Sequence, residues 1–274
     1  MSGSLDTLLA ALAGARVYDL EQPRFFGAPN APSHVPGYVY TLHRRHEPGA
    51  SPDPRTSASG MVVSPEHAGT HIDALCHQAE NLELFGGVAV TAEVQTPSGF
   101  TRHGIETVAP IITRGVLLDA ARHAGVERLP ELHLVGADDL RAAAREQGVE
   151  VRRGDVLLVR TGWGAVWEEP DTGPYIRGAG MDAGASEWAA ELGVRAVGAD
   201  NVAWDVYGAV DTRLGLSLPG HVILLVRHGV HIIEHLNLEE LARDRIWEFC
   251  FVCIPLKMKG ATGSPVRPLA LVPA

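Results

Sequence analysis

Eleven residues constrain this chain more than any others. They read His67-Ala-Gly-Thr-His71-Ile-Asp73-Ala-Leu-Cys-His77, three imidazoles and one carboxylate at offsets of four, two and four. Imidazole nitrogen and carboxylate oxygen are the usual protein ligands of Zn²⁺ and similar divalent ions. Gly69 permits a sharp turn or a close backbone approach, and Thr70 suits a helix N-cap. The pattern predicts a loop carrying His67, a turn at Gly69 and a helix from about Thr70, with Asp73 and His77 four apart on one helical face. His67, His71 and Asp73 would make a two-His, one-carboxylate set. Three protein ligands leave a position open for water, the catalytic rather than the structural arrangement. Spacing alone does not say which of the four is not a ligand. His77, a full helical turn beyond Asp73, is the choice for an unliganded acid/base.

A second cluster lies far along the chain, in Leu218-Pro-Gly-His221 and Val230-His-Ile-Ile-Glu234-His-Leu-Asn237. His221 stands where a helix should begin, and there it could face a ligand or an anion. Glu234 ends an apolar strand, where a carboxylate is costly unless paired or bound to a cation. The plain alternatives are a locally bonded histidine and a solvated strand-end glutamate. His228, His231 and His235 are expected to be exposed or structural. Competing chemistries lack their motifs. Gly215-Leu-Ser217-Leu-Pro219 only approaches a nucleophile elbow, and there is no His-Glu-x-x-His, no phosphate-binding Gly-x₄-Gly-Lys-Ser/Thr and no dinucleotide Gly-x-Gly-x-x-Gly after a strand. Cys76 precedes His77, but adjacent residues on a helix do not face each other, so Cys76 is expected to pack.

The 274 residues suffice for one large domain or two small ones, and 46% hydrophobic with 20% charged residues marks a globular chain. A net charge of −10, with no long Lys/Arg run, argues against nucleic acid or an anionic membrane as partner. Of three cysteines, Cys250 and Cys253 lie in a strand-like run and are expected as buried thiols. No secretory or transmembrane run is visible, so the expectation is a cytoplasmic enzyme or binding protein.

Ser4 to Ala15 has helical spacing (Leu5, Leu8, Leu9, Leu12) and Arg16 to Leu20 reads as a short strand. Glu21 to Pro54 is a long Pro-, Gly- and His-rich segment. A loop of this length serves as a lid or pocket wall, or as an arm that packs on a partner subunit. Strands are predicted at Gly60–Val63, Gly115–Asp119, Asp155–Thr161, Arg195–Ala199, Val230–Glu234 and Ile246–Leu256. Helices are predicted at Ala137–Gln147, Asp182–Leu192, Pro219–Arg227 and Leu238–Ala242, with Gly148 and Gly193 as stops. Strands and helices alternate without a repeat or linker, which predicts one α/β or α+β domain on a mixed sheet.

With those residues in view, the chain resembles the metal-dependent cyclase family, which includes bacterial kynurenine formamidases and isatin hydrolases. The pattern His-x-Gly-Thr-His-x-Asp-x-x-x-His carries the likeness. It extends through Tyr18-Asp-Leu, Val159-Arg-Thr-Gly-Trp, Val197-Gly-Ala-Asp-Asn, Pro219-Gly-His221, Ile233-Glu234, Pro255-Leu-Lys and Gly260-Ala-Thr-Gly-Ser-Pro. The resemblance implies a single α/β domain with a mixed, partly barrel-like central sheet surrounded by helices, of the swivelling β/β/α type, assembled as a homodimer or dimer of dimers. It implies metal ligation by His67, His71 and Asp73, with His77 as general acid/base. It also implies a second metal position completed by His221 and Glu234, where Asp73 and Glu234 bridge and Glu234 shares in catalysis. The cofactor would be Zn²⁺ or Mn²⁺, one or two ions. The chain departs from compact formamidases in extra material at Glu21–Pro54 and Trp163–Gly180, and Glu-Gln-Pro follows Asp-Leu in place of the usual Ser.

The expected chemistry is hydrolysis of an amide or lactone bond in a small cyclic or aryl substrate by metal-bound hydroxide, with His77 protonating the leaving group. Phe25, Phe26 and Trp163 are candidate walls of the substrate pocket. Two alternatives stand beside it. One is a non-catalytic metal- or ligand-binding protein on the same fold, which would not need His77 and Glu234. The other is a cyclase or dehydratase of a polyketide-like acid.

Overall fold

The structure is a computed structural model that describes residues 4–49 and 53–273. Eleven strands and three longer helices carry the argument. In chain order the strands are β1 (Arg16–Asp19), β2 (Val39–Arg44), β3 (Ser59–Val63), β4 (His71–Asp73), β5 (Ile111–Asp119), β6 (Val156–Arg160), β7 (Ala196–Ala199), β8 (His231–Glu234), β9 (Glu248–Cys253), β10 (Gly263–Pro265) and β11 (Leu269–Val272). The helices are α1 (Leu5–Ala13), α2 (Ala137–Gln147) and α3 (Ala183–Leu192).

Nine strands form one sheet in the order β1-β11-β9-β5-β6-β7-β8-β4-β10, curled into a half-barrel with helices around it. The centre, β5 to β8, is parallel, and the pairs on both flanks are antiparallel. This is the mixed α/β sheet that the alternating pattern predicts. The central strands are apolar runs buried on both faces, as crossover connections require: all five residues of β6 and all four of β7 are buried. Along β6, Leu157 and Val159 point into one core with Leu140, Trp167 and Leu224, while Val156 and Leu158 point into the other with Ile72, Ile233 and Phe251.

The helix ends follow their capping chemistry. Ser4 accepts from Thr7 N–H at 3.3 Å to open α1, and Asp182 accepts from Ala185 N–H at 2.7 Å to open α3. Gly148 and Gly193, both left-handed, close α2 and α3 as predicted. Leu5, Leu9 and Leu12 of α1 are exposed, and the Leu8 side chain lies outside the described residues. The predicted helix at Pro219 is real, but only Pro219–His221 is α-helical; Val222–His228 winds as a π-helix that stops at Gly229. No helix among the described residues is long and apolar enough to cross a membrane.

Three expectations change here. The predicted helix from Thr70 is instead the short strand β4, held between β8 (Glu234 opposite His71) and β10 (Gly263 opposite Asp73). Thr70 is therefore no N-cap: its hydroxyl donates to the His235 carbonyl at 2.6 Å and accepts from Gln22 N–H at 2.9 Å. The segment 21–54 is not loop throughout, since β2 pairs with β3 in a separate ribbon; residues 50–52 lie outside the described residues. The Cys250 thiol is exposed rather than buried, because it lies on the outer face of β9, whereas Cys76 and Cys253 are buried.

A buried carboxylate welds the ends of β6 and β7. Asp200 accepts from Thr161 N–H (2.7 Å), Thr161 Oγ1–H (2.6 Å), Gly162 N–H (2.8 Å) and Gly164 N–H (3.4 Å). Asp200→Ala leaves these donors unpaired at about 1–3 kcal/mol each, so urea unfolding should show a loss of about 3 kcal/mol or more. Asp200→Asn, which keeps an acceptor for Thr161, should lose distinctly less. Equal losses in the two variants would mean that packing, not acceptance, is what Asp200 supplies.

Candidate metal centre

The six predicted ligand and acid/base residues come together where β4 lies against β8. Side chains on a strand alternate, so His71 and Asp73 share one face of β4 while Ile72, fully buried, enters the core on the other. This is the correction to the helical picture: the two-residue spacing, not the four-residue one, brings His71 and Asp73 to one side. Glu234 ends β8 directly opposite His71. His67 is delivered by the loop that turns at Gly69, whose φ is +66°. A Cβ at Gly69 would also meet Arg24 Nη1 at 2.7 Å. His77 follows β4 in a loop, and its ring stacks on His67 with centroids 4.0 Å apart. His221 enters from the helical turn after Pro219, its ring 5.9 Å from that of His77.

The outer nitrogens of His67, His71 and His221 each have a partner that fixes the proton. His71 Nδ1–H donates to the Gly69 carbonyl at 2.8 Å, so Nε2 bears the lone pair, 3.4 Å from Asp73 Oδ1 and 3.2 Å from Glu234 Oε2. His221 Nδ1–H donates to Asp205 Oδ2 at 2.8 Å, leaving Nε2 facing Glu234 Oε1 at 3.2 Å and Asp73 Oδ2 at 3.7 Å. The Thr262 hydroxyl donates to Glu66 at 2.9 Å, so its oxygen accepts from His67 Nε2–H at 2.8 Å. His67 Nδ1 then turns its lone pair to Asp73 Oδ1 at 2.9 Å. Gly263 lets this happen, since a Cβ there would lie 2.7 Å from the His67 ring. Such outer partners orient ligands and raise their basicity.

The result is acceptors facing acceptors. Both Asp73 oxygens, Glu234 Oε1, His67 Nδ1 and His235 Nε2 are buried without a hydrogen-bond donor. Buried polar groups without partners are costly, and only protons or cations satisfy this set. The protein's own pull for positive charge is visible in its titration. Burial opposes charge on His71, yet a proton taken up at Nε2 would be shared with Asp73 and Glu234, and these contacts outweigh burial and raise its pKa to about 10. His221 is raised the same way, by Asp205 and Glu234 against burial. Burial would raise Asp73, but the surrounding imidazoles when protonated, His77 first and then His67 and His71, hold it well below the ordinary carboxylate range. The donor set fits divalent ions of the Zn²⁺ or Mn²⁺ kind. Its ligand atoms form three groups within 4.8 Å: His67, Asp73 and His77; His71, Glu234 and His235; and Asp73, His221 and Glu234. The last is the second position that the resemblance implies. His67 and His71 meet through their shared Asp73 oxygen rather than in one group.

A cavity of about 230 Å³ opens onto the cluster, lined by Ala31, Ser33 and His34 of the 21–54 segment, by His67, His71, His77, His221 and Glu234, and by Val202, Ala203, Tyr207 and Leu218. Three residues of the segment thus lie on the wall of this cavity. Arg24 ties the segment down by donating to the carbonyls of Ala68 and Thr70. Phe25, Phe26 and Trp163, expected as pocket walls, do not line this cavity. Phe26 is 81% exposed, Trp163 at 2% exposure is a core residue beneath Arg128, and Phe25 packs on the same core. A larger cleft of about 940 Å³ lies elsewhere, around Arg160, but Arg160 is already paired with Asp119 and Glu239.

Several residues of the site carry no signal in sequence spacing. Asp205, Glu66 and Thr262 act through space on His221 and His67. His34 comes from the arm, its ring 5.0 Å from that of His67. His228 is exposed and His231 is structural, its Nδ1–H donating to the Asp73 carbonyl at 2.8 Å. His235 is fully buried, against the cluster. Its pKa is lowered to about 3, first by burial and then by the charge of His71. Cys76 is buried and its pKa pushed up to about 12 by that burial, which removes it as a nucleophile.

Asp205 offers a test of the outer partners. Asp205→Asn removes the carboxylate charge that draws the imidazole proton to Nδ1, and with it the bias that keeps the Nε2 lone pair free for a cation. Divalent-ion affinity, measured by chelator competition, should fall about 10–100-fold. Unchanged affinity would mean that Asp205 does not set the orientation or tautomer of His221.

Residues 18–206 match the sequence family described as "Putative cyclase". A kynurenine formamidase of Bacillus thuringiensis subsp. konkukian is 27% identical over 210 residues, 76% of this chain and 77% of that protein. An isatin hydrolase of Roseibium aggregatum is 27% identical over 224 residues, 79% of this chain and 75% of that protein. Among solved structures, one described as a novel cyclase superposes with a TM-score of 0.84 at 30% identity, covering 98% of this chain and 91% of its own.

Proposed function

Since this chain belongs to the cyclase family, we propose that it is a metal-dependent hydrolase cleaving the C–N bond of a small arylformamide or cyclic amide, with lactones as further candidate substrates. The observation that carries this reading is the buried set of acceptor atoms around Asp73 and Glu234, open on one side to a small cavity that His77 also lines. Two relatives named for hydrolysis of such bonds support the class of reaction. We assign His67, His71 and Asp73, with His221 and Glu234, to one or two ions of Zn²⁺ or Mn²⁺. The two carboxylates, each shared between ligand groups, favour two positions.

A divalent ion held by these residues would supply the acidification of a water toward neutrality and the polarisation of a carbonyl oxygen. The residues do the rest. His77 is the proton carrier. Burial lowers its pKa to about 3, so the ring is a neutral base at pH 7, and it stands at the cavity wall. It takes the proton of the attacking water and returns it to the leaving nitrogen. Val202, Ala203 and Leu218 supply the apolar wall against which an aryl group packs, and Ser33, His34 and Tyr207 the polar one. A cavity of about 230 Å³ lies below the ~300–1,000 Å³ of common ligand pockets, which limits the substrate to a small molecule.

Metal analysis of the purified protein beside hydrolysis assays on N-formylkynurenine, isatin and a lactone panel tests the reading. His67→Ala/Asp73→Ala should lose the metal. His77→Ala should keep it and lose about 10²–10⁴-fold in rate on the best substrate. A metal-loaded protein that hydrolyses nothing in the panel would instead favour a binding role.

The same reading proposes a homodimer or dimer of dimers. The β2–β3 ribbon exposes Tyr40 and Val62 on one face and Met61 and Val63 on the other, each at 50% or more, and a ribbon apolar on both faces favours contact with a second chain. Light scattering after size exclusion should return at least twice the chain mass of 29.2 kDa. A monomer at micromolar concentration would sink the assembly.

A further inference from the structure

We infer that His235 is an additional protein ligand of the metal centre, donating through Nε2 to an ion shared with His71 and Glu234. The inference rests on the reading that this cluster holds divalent ions and goes beyond it in the residue it adds.

Backbone geometry is the first observation. His235 directly follows Glu234, and consecutive strand residues point to opposite faces. Here φ of His235 is +56°, a left-handed conformation uncommon for a residue other than glycine. That twist brings the ring back to the side of the cluster, 5.6 Å from the His71 ring between centroids. The conformation is held from both ends: His235 N–H donates to the Asn201 carbonyl at 3.0 Å, and the His235 carbonyl accepts from the Thr70 hydroxyl at 2.6 Å. Uncommon backbone held so firmly is characteristic of functional sites.

The second observation is the proton count. The Tyr175 hydroxyl has one hydrogen and donates it to the Asp200 carbonyl at 3.2 Å. The contact of 2.9 Å between Tyr175 Oη and His235 Nδ1 must then be made by an Nδ1–H. Nε2 is left with its lone pair, buried and without any partner. It lies with His71 and Glu234 in one group of ligand atoms within 4.8 Å. Those neighbours offer Nε2 no hydrogen, because the inner nitrogen of His71 is turned to Asp73 and Glu234 and Glu234 is an acceptor. Trp167 edge-on at 5.3 Å and Tyr175 stacked at 5.7 Å fix the ring plane. Substrate is not the missing partner. His235 is fully buried and does not line the cavity, so a small cation reaches Nε2 and a carbonyl compound does not.

The test uses His235→Asn and His235→Gly, both compatible with a left-handed backbone. Zn²⁺ affinity by chelator competition and the visible absorption of the Co²⁺-loaded protein are compared with wild type, and circular dichroism of the metal-free forms reports folding. Expected are a fall in affinity of at least about 10-fold at one position and an altered Co²⁺ spectrum in both variants, with metal-free folding retained. Unchanged affinity and spectrum in either folded variant overturn the inference alone. Failure of the wild-type protein to bind any divalent ion overturns the functional reading and this one with it.

Discussion

Asp73 and Glu234 are buried side by side with histidine lone pairs turned toward them, and the surrounding structure makes sense only around that arrangement. In water the two carboxylates would repel each other weakly. At low dielectric their mutual repulsion and desolvation are large, so positive charge must enter with them. The chain supplies none of it as Lys or Arg at this point. It supplies imidazoles whose outer nitrogens are committed to Gly69, Asp205 and Thr262. The centre is therefore an unmet electrostatic demand held in place by ordinary hydrogen bonds.

The fold meets the mechanical side of that demand by using strand ends. In mixed α/β sheets the carboxyl ends of the parallel strands are where ligands bind, and here they carry Thr161, Asp200 and Glu234 in turn. Asp200 binds the β6 and β7 ends together, and Asn201 gathers the carbonyls of Ala179, Trp204 and Asp205. That gathering places Asp205 under His221. The antiparallel strands β4 and β10 then close over β8 and bring His71, Asp73 and Thr262 from distant parts of the chain. Each element is stabilised by apolar burial on its inner face, so the polar face can be given over to chemistry.

Much of the fold was legible. Helices α2 and α3 match because the apolar stripe, the capping residue and the stopping glycine agree at each. The central strands match because fully buried strands read as continuous apolar runs. The local structure of the motif was not legible. Thr-His-Ile-Asp satisfies a helix start as well as it satisfies a short strand, and pairing with β8 and β10 decided between them. Aromatic residues near the site misled for a related reason. Phe25, Phe26 and Trp163 lie in the two extra segments of the chain, but burial and exposure are set by neighbours that position in the sequence does not reveal.

By itself the sequence determined the donor atoms: His67, His71, His77 and His221 are four imidazoles, Asp73 and Glu234 two carboxylates, and their identity is written in residue type. Tertiary structure alone decided how those atoms are poised. Proton positions on His67, His71 and His221 depend on Thr262, Asp205 and a carbonyl that approach through space, and the orientation of His235 depends on one backbone dihedral and on Tyr175. Pocket shape belongs to the same category, since Ala31 and Ser33 meet Val202 and Leu218 only after folding. Residue type specifies what an atom can bind. Desolvation and hydrogen-bond partners, which are properties of the folded surroundings, specify whether it must.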